Sequence, residues 1–217
     1  MAPYVQRDVR QLLNVTDLSR FTTFLRLCAS RTAQELHLSS LGSDAGVSHN
    51  TANAWLSVLE FSLLCHRLPA WHKNLKKQVV KAPKLHFVDR GLVCYLLGIK
   101  APEQLRHHPL RGAIFESWVF SELYKQKIHH GDSFNGIHFR ESRGLKVDFI
   151  EVQAEGLFFT EAKSGETISS DSFKNLQTLE KWLSEHGVVE RIHKGLVYGG
   201  NESQTRHGIH AMPWNPL

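Results

Sequence analysis

Two apolar runs close together in the second half of the chain constrain its fold most. Residues 145–152 read LKVDFIEV and residues 157–163 read LFFTEAK, with four residues between them. Both runs are short and β-prone, so they predict two neighbouring strands joined by a turn. The first run is interrupted by Asp148, and the second closes on Glu161 and Lys163. Because strand side chains alternate between faces, Glu161 and Lys163 share one face, and a paired strand could place Asp148 beside them.

These charges predict a site for a divalent cation and a phosphodiester. Carboxylate oxygens are the ligands that Mg²⁺ (or Mn²⁺) prefers, so Asp148 and Glu161 are the candidate metal ligands. Lys163 is suited to orient an attacking water or to stabilise charge that develops on the phosphate. Glu116, in an amphipathic helix predicted over 110–128, is the candidate third carboxylate.

Each of these residues also has an ordinary structural interpretation. Glu116 could be a solvated helix carboxylate, and Asp148 could be a charge at a strand end. Glu161 and Lys163 could form a surface ion pair contributing about 0–1 kcal/mol to stability. The combination favours a site, because all four residues fall at matching places in one succession of elements.

The remaining C-terminal residues predict an α+β domain. Further strands are expected over 137–142, 195–200 and 208–214, and a helix capped by Asp171 is expected over 171–185. After the helix over 110–128, the predicted order is three strands, a helix, a strand and a terminal strand, which is an αβββαβ arrangement.

The N-terminal half reads as a helical domain that contains a helix-turn-helix. Helices are predicted over 4–14, 18–30 and 31–37, and residues 38–64 have the form of two helices around Gly46, with Ser48 capping the second. The outward positions His49, Asn50 and Asn53 are candidates for contact with the DNA major groove or backbone. The same helical pattern also packs proteins together in domains that never contact DNA.

A hairpin after these helices would complete a winged helix. Strands are predicted over 61–68 and 79–88, and the basic connection between them carries Lys73, Lys76 and Lys77. Such a tip is suited to lie on a phosphate backbone. The alternative is a solvated hairpin tip, where lysines also discourage edge pairing.

Charge and motifs narrow the class of protein. Residues 1–110 carry a net charge of +7 and residues 111–217 a net charge of −2. The basic half is therefore expected to meet an anionic polymer, although a solvated basic surface would have the same composition. The chain contains no G-x-x-x-x-G-K-[ST], which predicts no ATP site, and no run of 18 apolar residues, which predicts no membrane span. Isolated cysteines and the lack of a signal peptide predict a cytoplasmic protein.

The C-terminal residues carry a family resemblance. Residues 105–217 resemble the PD-(D/E)XK nuclease-like fold, with Glu116 in the opening helix, Val147-Asp148-Phe149 in the second strand and Glu161-Ala162-Lys163 in the third. The whole chain is similar to the C-terminal region of a prokaryotic family of predicted AAA-type ATPases, through YVQRDVRQL, KAPKLHFVDRGLVCYLLGI, GAIFESWVFSEL, KVDFI and TEAKSG. The family has an ATPase module that would end where this chain starts.

The resemblance implies two domains, a helical and winged helix-turn-helix domain over 1–104 and a nuclease-like domain over 105–217. It implies a DNA-binding protein with a Mg²⁺-dependent site for phosphodiester hydrolysis, and an AAA-type ATPase as a possible partner. The alternative is a non-catalytic DNA- or protein-binding module that partners an ATPase. One departure lies beside the site, since Lys146 stands where the family often has an acidic residue.

Overall fold

The computed structural model describes residues 17–71, 82–141, 144–188 and 190–215. These residues form two compact units, each with its own core. The first takes in the described residues of Met1–Arg67 and Lys84–Ser121, and the second those of Leu68–Pro83 and Glu122–Leu217. The predicted domain boundary between residues 104 and 105 stays a prediction. The predicted helix over 4–14 and the three lysines Lys73, Lys76 and Lys77 lie outside the described residues.

The first unit is helical with a small three-stranded sheet, whose strand order is β1-β3-β2. Its core is apolar and aromatic, with Phe21, Phe24 and Trp55 in mutual ring contact. The elements in chain order are α1 (Leu18–Ser30), β1 (Gln34–Glu35), α2 (Leu38–Asp44), α3 (His49–Phe61), β2 (Cys65–Leu68), β3 (Lys84–Phe87), α4 (Arg90–Leu96), α5 (Pro102–Arg106) and α6 (Arg111–His129). The boundary between the units falls within β2 and α6.

Local capping explains where α1 and α3 begin. The Asp17 side chain accepts a hydrogen bond from the backbone of Arg20 at the start of α1, and Ser48 does the same from Thr51 at the start of α3. Gly46 has φ 69° in the turn between α2 and α3, a conformation that suits glycine. These features confirm the predicted pair of helices around Gly46.

One local prediction in the first unit was wrong, and another was confirmed only in part. A helix was expected over 31–37, but the chain turns at Ala33 (φ 56°) and forms β1, which pairs antiparallel with β3 through Gln34 and Leu85. A strand was expected over 61–68, but α3 continues to Phe61, so β2 is shorter. Pairing with β3, a strand distant in sequence, overrides the local helical pattern at the first of these places.

The second unit is built on a mixed six-stranded sheet, whose strand order is β4-β5-β6-β7-β9-β8. Pairs β4–β5, β5–β6 and β8–β9 are antiparallel, whereas β6–β7 and β7–β9 are parallel. Its elements are β4 (Gly136–Arg140), β5 (Lys146–Gln153), β6 (Gly156–Lys163), a 3-10 turn (Ser170–Phe173), α7 (Lys174–Glu185), β7 (Ile192–Tyr198), β8 (Gln204–Arg206) and β9 (Ile209–Pro213).

The five strands predicted for this unit are present, together with the short β8, which was not predicted. Helix α7 begins at Lys174 after a 3-10 turn, so Asp171 is not its cap. The core lies where Leu176, Leu179 and Leu183 of α7 pack with apolar residues of the sheet. The fold is therefore a mixture of α and β structure, as predicted. No helix in the described part of the chain has the length and apolar character needed to cross a membrane.

Candidate functional site

Strand β6 carries Glu161 into the core. Its buried positions alternate as Leu157, Phe159 and then Glu161, so a carboxylate stands where the pattern would place a third apolar residue. The Glu161 side chain is 0% exposed, and the next residue on that face, Lys163, is one-third exposed. The parallel ladder with β7 continues to Lys163↔Tyr198, which holds the end of β6 in the sheet.

An irregularity in β5 positions Asp148. The pairing of β5 with β4 runs from Ile150↔Ile137 to Val147↔Phe139, so β5 uses three steps where β4 uses two. The extra residue on β5 makes a β-bulge, a feature that bends a strand and redirects a side chain. Asp148 lies within this bulge and is 1% exposed. Its Oδ2 accepts a hydrogen bond of 3.2 Å from the backbone N–H of Ala162 on β6.

The pairing of β5 with β6 brings the two carboxylates near each other. Its ladder ends at Phe149↔Thr160, and Asp148 and Glu161 are the next residues of the two strands. The Ala162 N–H beside Glu161 donates to Asp148, and the negative charge of Asp148 acts on Glu161. The predicted convergence of Asp148, Glu161 and Lys163 is thus present at one edge of the sheet.

The two oxygens of Glu161 differ in their surroundings. Oε2 accepts a hydrogen bond of 2.7 Å from Nζ of Lys163. Oε1 is buried and has no hydrogen-bond partner among the residues that the structure describes. Burial, and then the negative charge of Asp148, raise the pKa of Glu161 from 4.5 to about 8, although Lys163 and Lys146 act in the opposite direction. The site therefore holds a carboxyl group with one oxygen for which the described part of the chain provides no donor.

This donor set fits a divalent cation. A buried polar atom without a partner costs about 1–3 kcal/mol, and a cation or a proton bound at Oε1 would remove that cost. Within the described residues, no three His, Cys, Asp or Glu side chains form a group that could hold a metal ion. Two carboxylates are nevertheless what Mg²⁺ commonly uses, since it keeps several waters and binds substrate phosphates.

The edge of the sheet that carries the site is held by a close backbone approach. Strands β6 and β7 are parallel and end at this edge, and crevices at the carboxyl ends of strands commonly bind ligands. Gly199, just after β7, donates hydrogen bonds of 3.0 Å to the carbonyl oxygens of Lys163 and Gly165. A Cβ at Gly199 would lie 2.6 Å from the carbonyl oxygen of Ser164, so a side chain there would displace the segment that follows Lys163.

Glu116 lies in the first unit, on α6. It is 8% exposed, and its Oε1 accepts a hydrogen bond of 2.6 Å from Nζ of Lys84 on β3. Lys84 is 4% exposed, so the two side chains form a buried ion pair. The expectation that Glu116 acts as a third carboxylate stays a prediction. The structure shows a partner, Lys84, that the sequence analysis did not identify.

On the outer face of α3, two of the three predicted contact residues are exposed. His49 and Asn50 are open to solvent, whereas Asn53 is partly buried and its Oδ1 accepts a hydrogen bond of 2.9 Å from Arg67 of β2. Arg67 also binds both carboxylate oxygens of Glu60, at 2.8 Å through Nε and through its backbone N–H. Asn53 is therefore held by an intramolecular network, which its spacing on the helix did not indicate.

The structure adds Lys146 to the site. Its Nζ lies 3.4 Å from Oδ1 of Asp148. The sequence spacing already indicated this contact. Lys146 precedes Asp148 by two residues, and Lys163 follows Glu161 by two, so each lysine shares a strand face with its carboxylate. Each buried carboxylate thus has an ammonium group on its own strand.

Comparisons with known proteins match two separate stretches of the chain. Residues 1–103 match a family model described as a domain of unknown function, DUF8612, and residues 111–217 match another domain of unknown function, DUF4143. The chain is also similar to an uncharacterized protein of Mycobacterium bovis and to one of Mycobacterium tuberculosis. Each is 29% identical to it over 123 residues, which is 55% of this chain and 27% of the relative.

We predict that the Lys84–Glu116 pair is needed for the stability of the first unit. Lys84→Met would leave the Glu116 carboxylate buried without its ammonium partner and should lower the free energy of unfolding by about 3–5 kcal/mol. The double variant Lys84→Met/Glu116→Leu should lose much less, because neither charge remains. Urea denaturation measures both, and equal losses for the two variants would contradict the ion-pair explanation.

We also predict that ionisation of Glu161 destabilises the fold as pH rises. The pKa of Glu161 is raised in the folded state, so the folded protein retains a proton that the unfolded chain loses. The resulting stabilisation is complete below pH 4.5 and is lost as pH rises through about 8. Glu161→Gln cannot ionise, so its stability should fall less than that of the wild type across this range. Parallel stability profiles from urea denaturation without divalent cations would contradict this.

Proposed function

We propose that the protein is a DNA-binding phosphodiester hydrolase of the metal-dependent nuclease type. The observation that carries this proposal is the buried Glu161 carboxyl beside Asp148. Its Oε1 has no donor among the described residues, and its Oε2 lies 2.7 Å from Nζ of Lys163. A purely structural ion pair would have no need to bury a second carboxylate against the first, because like charges in a poorly solvated site raise each other's cost.

The topology of the second unit supports the proposal. Helix α6 leads into three antiparallel strands, followed by α7 and a strand parallel to β6. This succession resembles the PD-(D/E)XK nuclease-like fold, in which the second and third strands carry the acidic residues and the lysine. The family matched by residues 111–217 commonly accompanies AAA-type ATPases, which supports an ATPase as a partner.

The residues of the site have distinct roles in the proposed chemistry. Asp148 and Glu161 would hold Mg²⁺ or Mn²⁺. The cation would supply Lewis acidity toward the phosphate and make water a stronger nucleophile. The Ala162 N–H orients the Asp148 carboxylate. Lys163, one-third exposed and bonded to Glu161, is placed to donate a hydrogen bond to an attacking water or to a phosphate oxygen.

The first unit is proposed to position the DNA. Its order α1-β1-α2-α3-β2-β3 and its strand order β1-β3-β2 resemble a winged helix-turn-helix. In such a domain the second helix of the pair meets the major groove, and His49 and Asn50 are exposed at its start. Lys73, Lys76 and Lys77 would contact phosphates from the connection between β2 and β3.

The second candidate function is a DNA- or protein-binding module without catalysis. It is favoured by the two lysines of the site, because Lys146 and Lys163 provide the carboxylates with counter-charges in the absence of a metal. DNA binding would then need no divalent cation and would survive Asp148→Asn.

A cleavage assay tests the hydrolase. The wild type with Mn²⁺ or Mg²⁺ should nick or cut duplex or branched DNA, and Asp148→Asn, Glu161→Gln and Lys163→Met should each lower the rate by at least about 100-fold. Glu151→Gln is the matched control, because Glu151 is a buried carboxylate on the same strand as Asp148 but pairs with Lys127. Equal rates for Lys163→Met and the wild type would refute the proposed mechanism.

A salt-dependent binding assay tests the first unit. The combined substitution of Lys73, Lys76 and Lys77 by Gln should weaken duplex binding and lower the slope of log K against log salt by about 0.9 for each phosphate that the protein no longer neutralises. Asn50→Asp should weaken binding further by placing a negative charge on the exposed face of α3. Lys181→Gln is the control, because Lys181 is 81% exposed on α7 of the second unit. If neither the three lysine substitutions nor Asn50→Asp changes the DNA affinity, the DNA-binding surface lies elsewhere.

A further inference from the structure

Lys146 is a charged residue of the site to which the proposed chemistry assigns no role. It is the first residue of β5, and its side chain is 39% exposed. Its Nζ lies 3.4 Å from Oδ1 of Asp148, a carboxylate that is 1% exposed. An ammonium group on a partly solvated side chain is thus the counter-charge of a buried carboxylate.

The two lysines of the site hold their carboxylates differently. Lys163 lies 2.7 Å from Oε2 of Glu161, a close charge-assisted hydrogen bond. The contact of Lys146 with Asp148 is longer by 0.7 Å, at 3.4 Å, and its side chain is the more exposed of the two. The interaction of Lys146 is therefore the weaker of the two and the more easily exchanged for another ligand.

The charge of Lys146 also acts on Glu161, the second carboxylate. It favours the ionised form of Glu161 and so opposes the larger effect of burial, which raises the pKa of that carboxyl. A divalent cation that binds both carboxylates would meet this positive charge at close range. Repulsion between like charges is strong where water screens them poorly, so Lys146 opposes the binding of a cation. An ammonium group displaced from Asp148 would remain at the edge of the sheet, where a substrate phosphate would lie.

We propose that Lys146 is an exchangeable counter-ion, which neutralises Asp148 when no divalent cation is bound and binds a phosphodiester oxygen of the substrate when one is. The proposal rests on the proposed function, since it assigns a role to Lys146 at the same site. It makes Lys146 a positioning residue for the DNA backbone and the group that sets the affinity for the metal. The competing explanation is a surface ion pair with no effect on either ligand.

The experiment compares Lys146→Gln with Lys127→Gln in the full chain. Lys127 is a matched control, since its Nζ also lies 3.4 Å from a buried carboxylate, that of Glu151 on β5, and its side chain is 30% exposed. Mn²⁺ binding is measured by titration calorimetry in the absence of DNA. Lys146→Gln should bind Mn²⁺ about tenfold more tightly than the wild type, because a repelling charge is gone. The control should bind as the wild type does.

The second measurement is the binding of a fluorescent DNA duplex in Ca²⁺, a cation chosen to hold the carboxylates without supporting cleavage. Lys146→Gln should bind the duplex about threefold to tenfold more weakly. Its slope of log K against log salt should be smaller by about 0.9, as expected when one phosphate is no longer neutralised. Opposite changes in the two affinities are the expected signature, since a merely structural role would not strengthen one ligand while weakening the other.

The outcomes separate this proposal from the proposed function. A wild type that binds no Mn²⁺ overturns the hydrolase and, with it, the role of Lys146. A wild type that binds Mn²⁺ and cleaves DNA, with Lys146→Gln unchanged in both affinities, overturns only the role of Lys146. A fall in both affinities also overturns it, because that result indicates a disturbed site rather than a missing counter-ion.

Discussion

The burial of Glu161 on the core face of β6 is the constraint on which the rest of the site depends. Leu157 and Phe159 on the same face set the strand into the core, so the carboxylate that follows them is removed from water. The surrounding structure offsets only part of the free-energy cost of burying this carboxylate. Lys163 binds one oxygen, the bulge in β5 sets Asp148 opposite, and the Ala162 N–H holds Asp148 in turn. A carboxyl oxygen left without a donor by this arrangement is what makes the site suited to an ionic ligand.

Charged residues in this chain take their roles from their surroundings rather than from their type. Lys84 and Glu116 are both buried and lie 2.6 Å apart, so their pair is a fixed part of the first unit. Lys146 and Asp148 are 3.4 Å apart with the lysine partly exposed, so their interaction is open to exchange. Arg67 donates hydrogen bonds to Glu60 and to Asn53, so Asn53 is held within the first unit. His49 and Asn50, at the start of α3, are exposed to solvent.

Much of the second unit could be predicted because its signals are local. The alternation in 157–163 predicted that Glu161 and Lys163 share a face, and the short connection predicted that β5 pairs with β6. The capping residues Asp17 and Ser48 were recognisable for the same reason. The features that escaped prediction depend on partners distant in sequence. The pairing of β1 with β3 replaced a predicted helix, Lys84 is separated from Glu116 by 32 residues, and the bulge at Asp148 arises from the register of β5 on β4.

The central claim is that one divalent cation binds to Asp148 and to Oε1 of Glu161, the oxygen that lacks a donor among the described residues. Anomalous scattering from crystals grown or soaked in Mn²⁺ tests it most directly, because it locates the metal without reference to activity. The account predicts a peak in direct contact with Oε1 of Glu161 that also contacts Asp148 and is absent in Glu161→Gln crystals. A Mn²⁺ peak elsewhere, or none at these carboxylates at saturating metal and a pH above about 8, would contradict it.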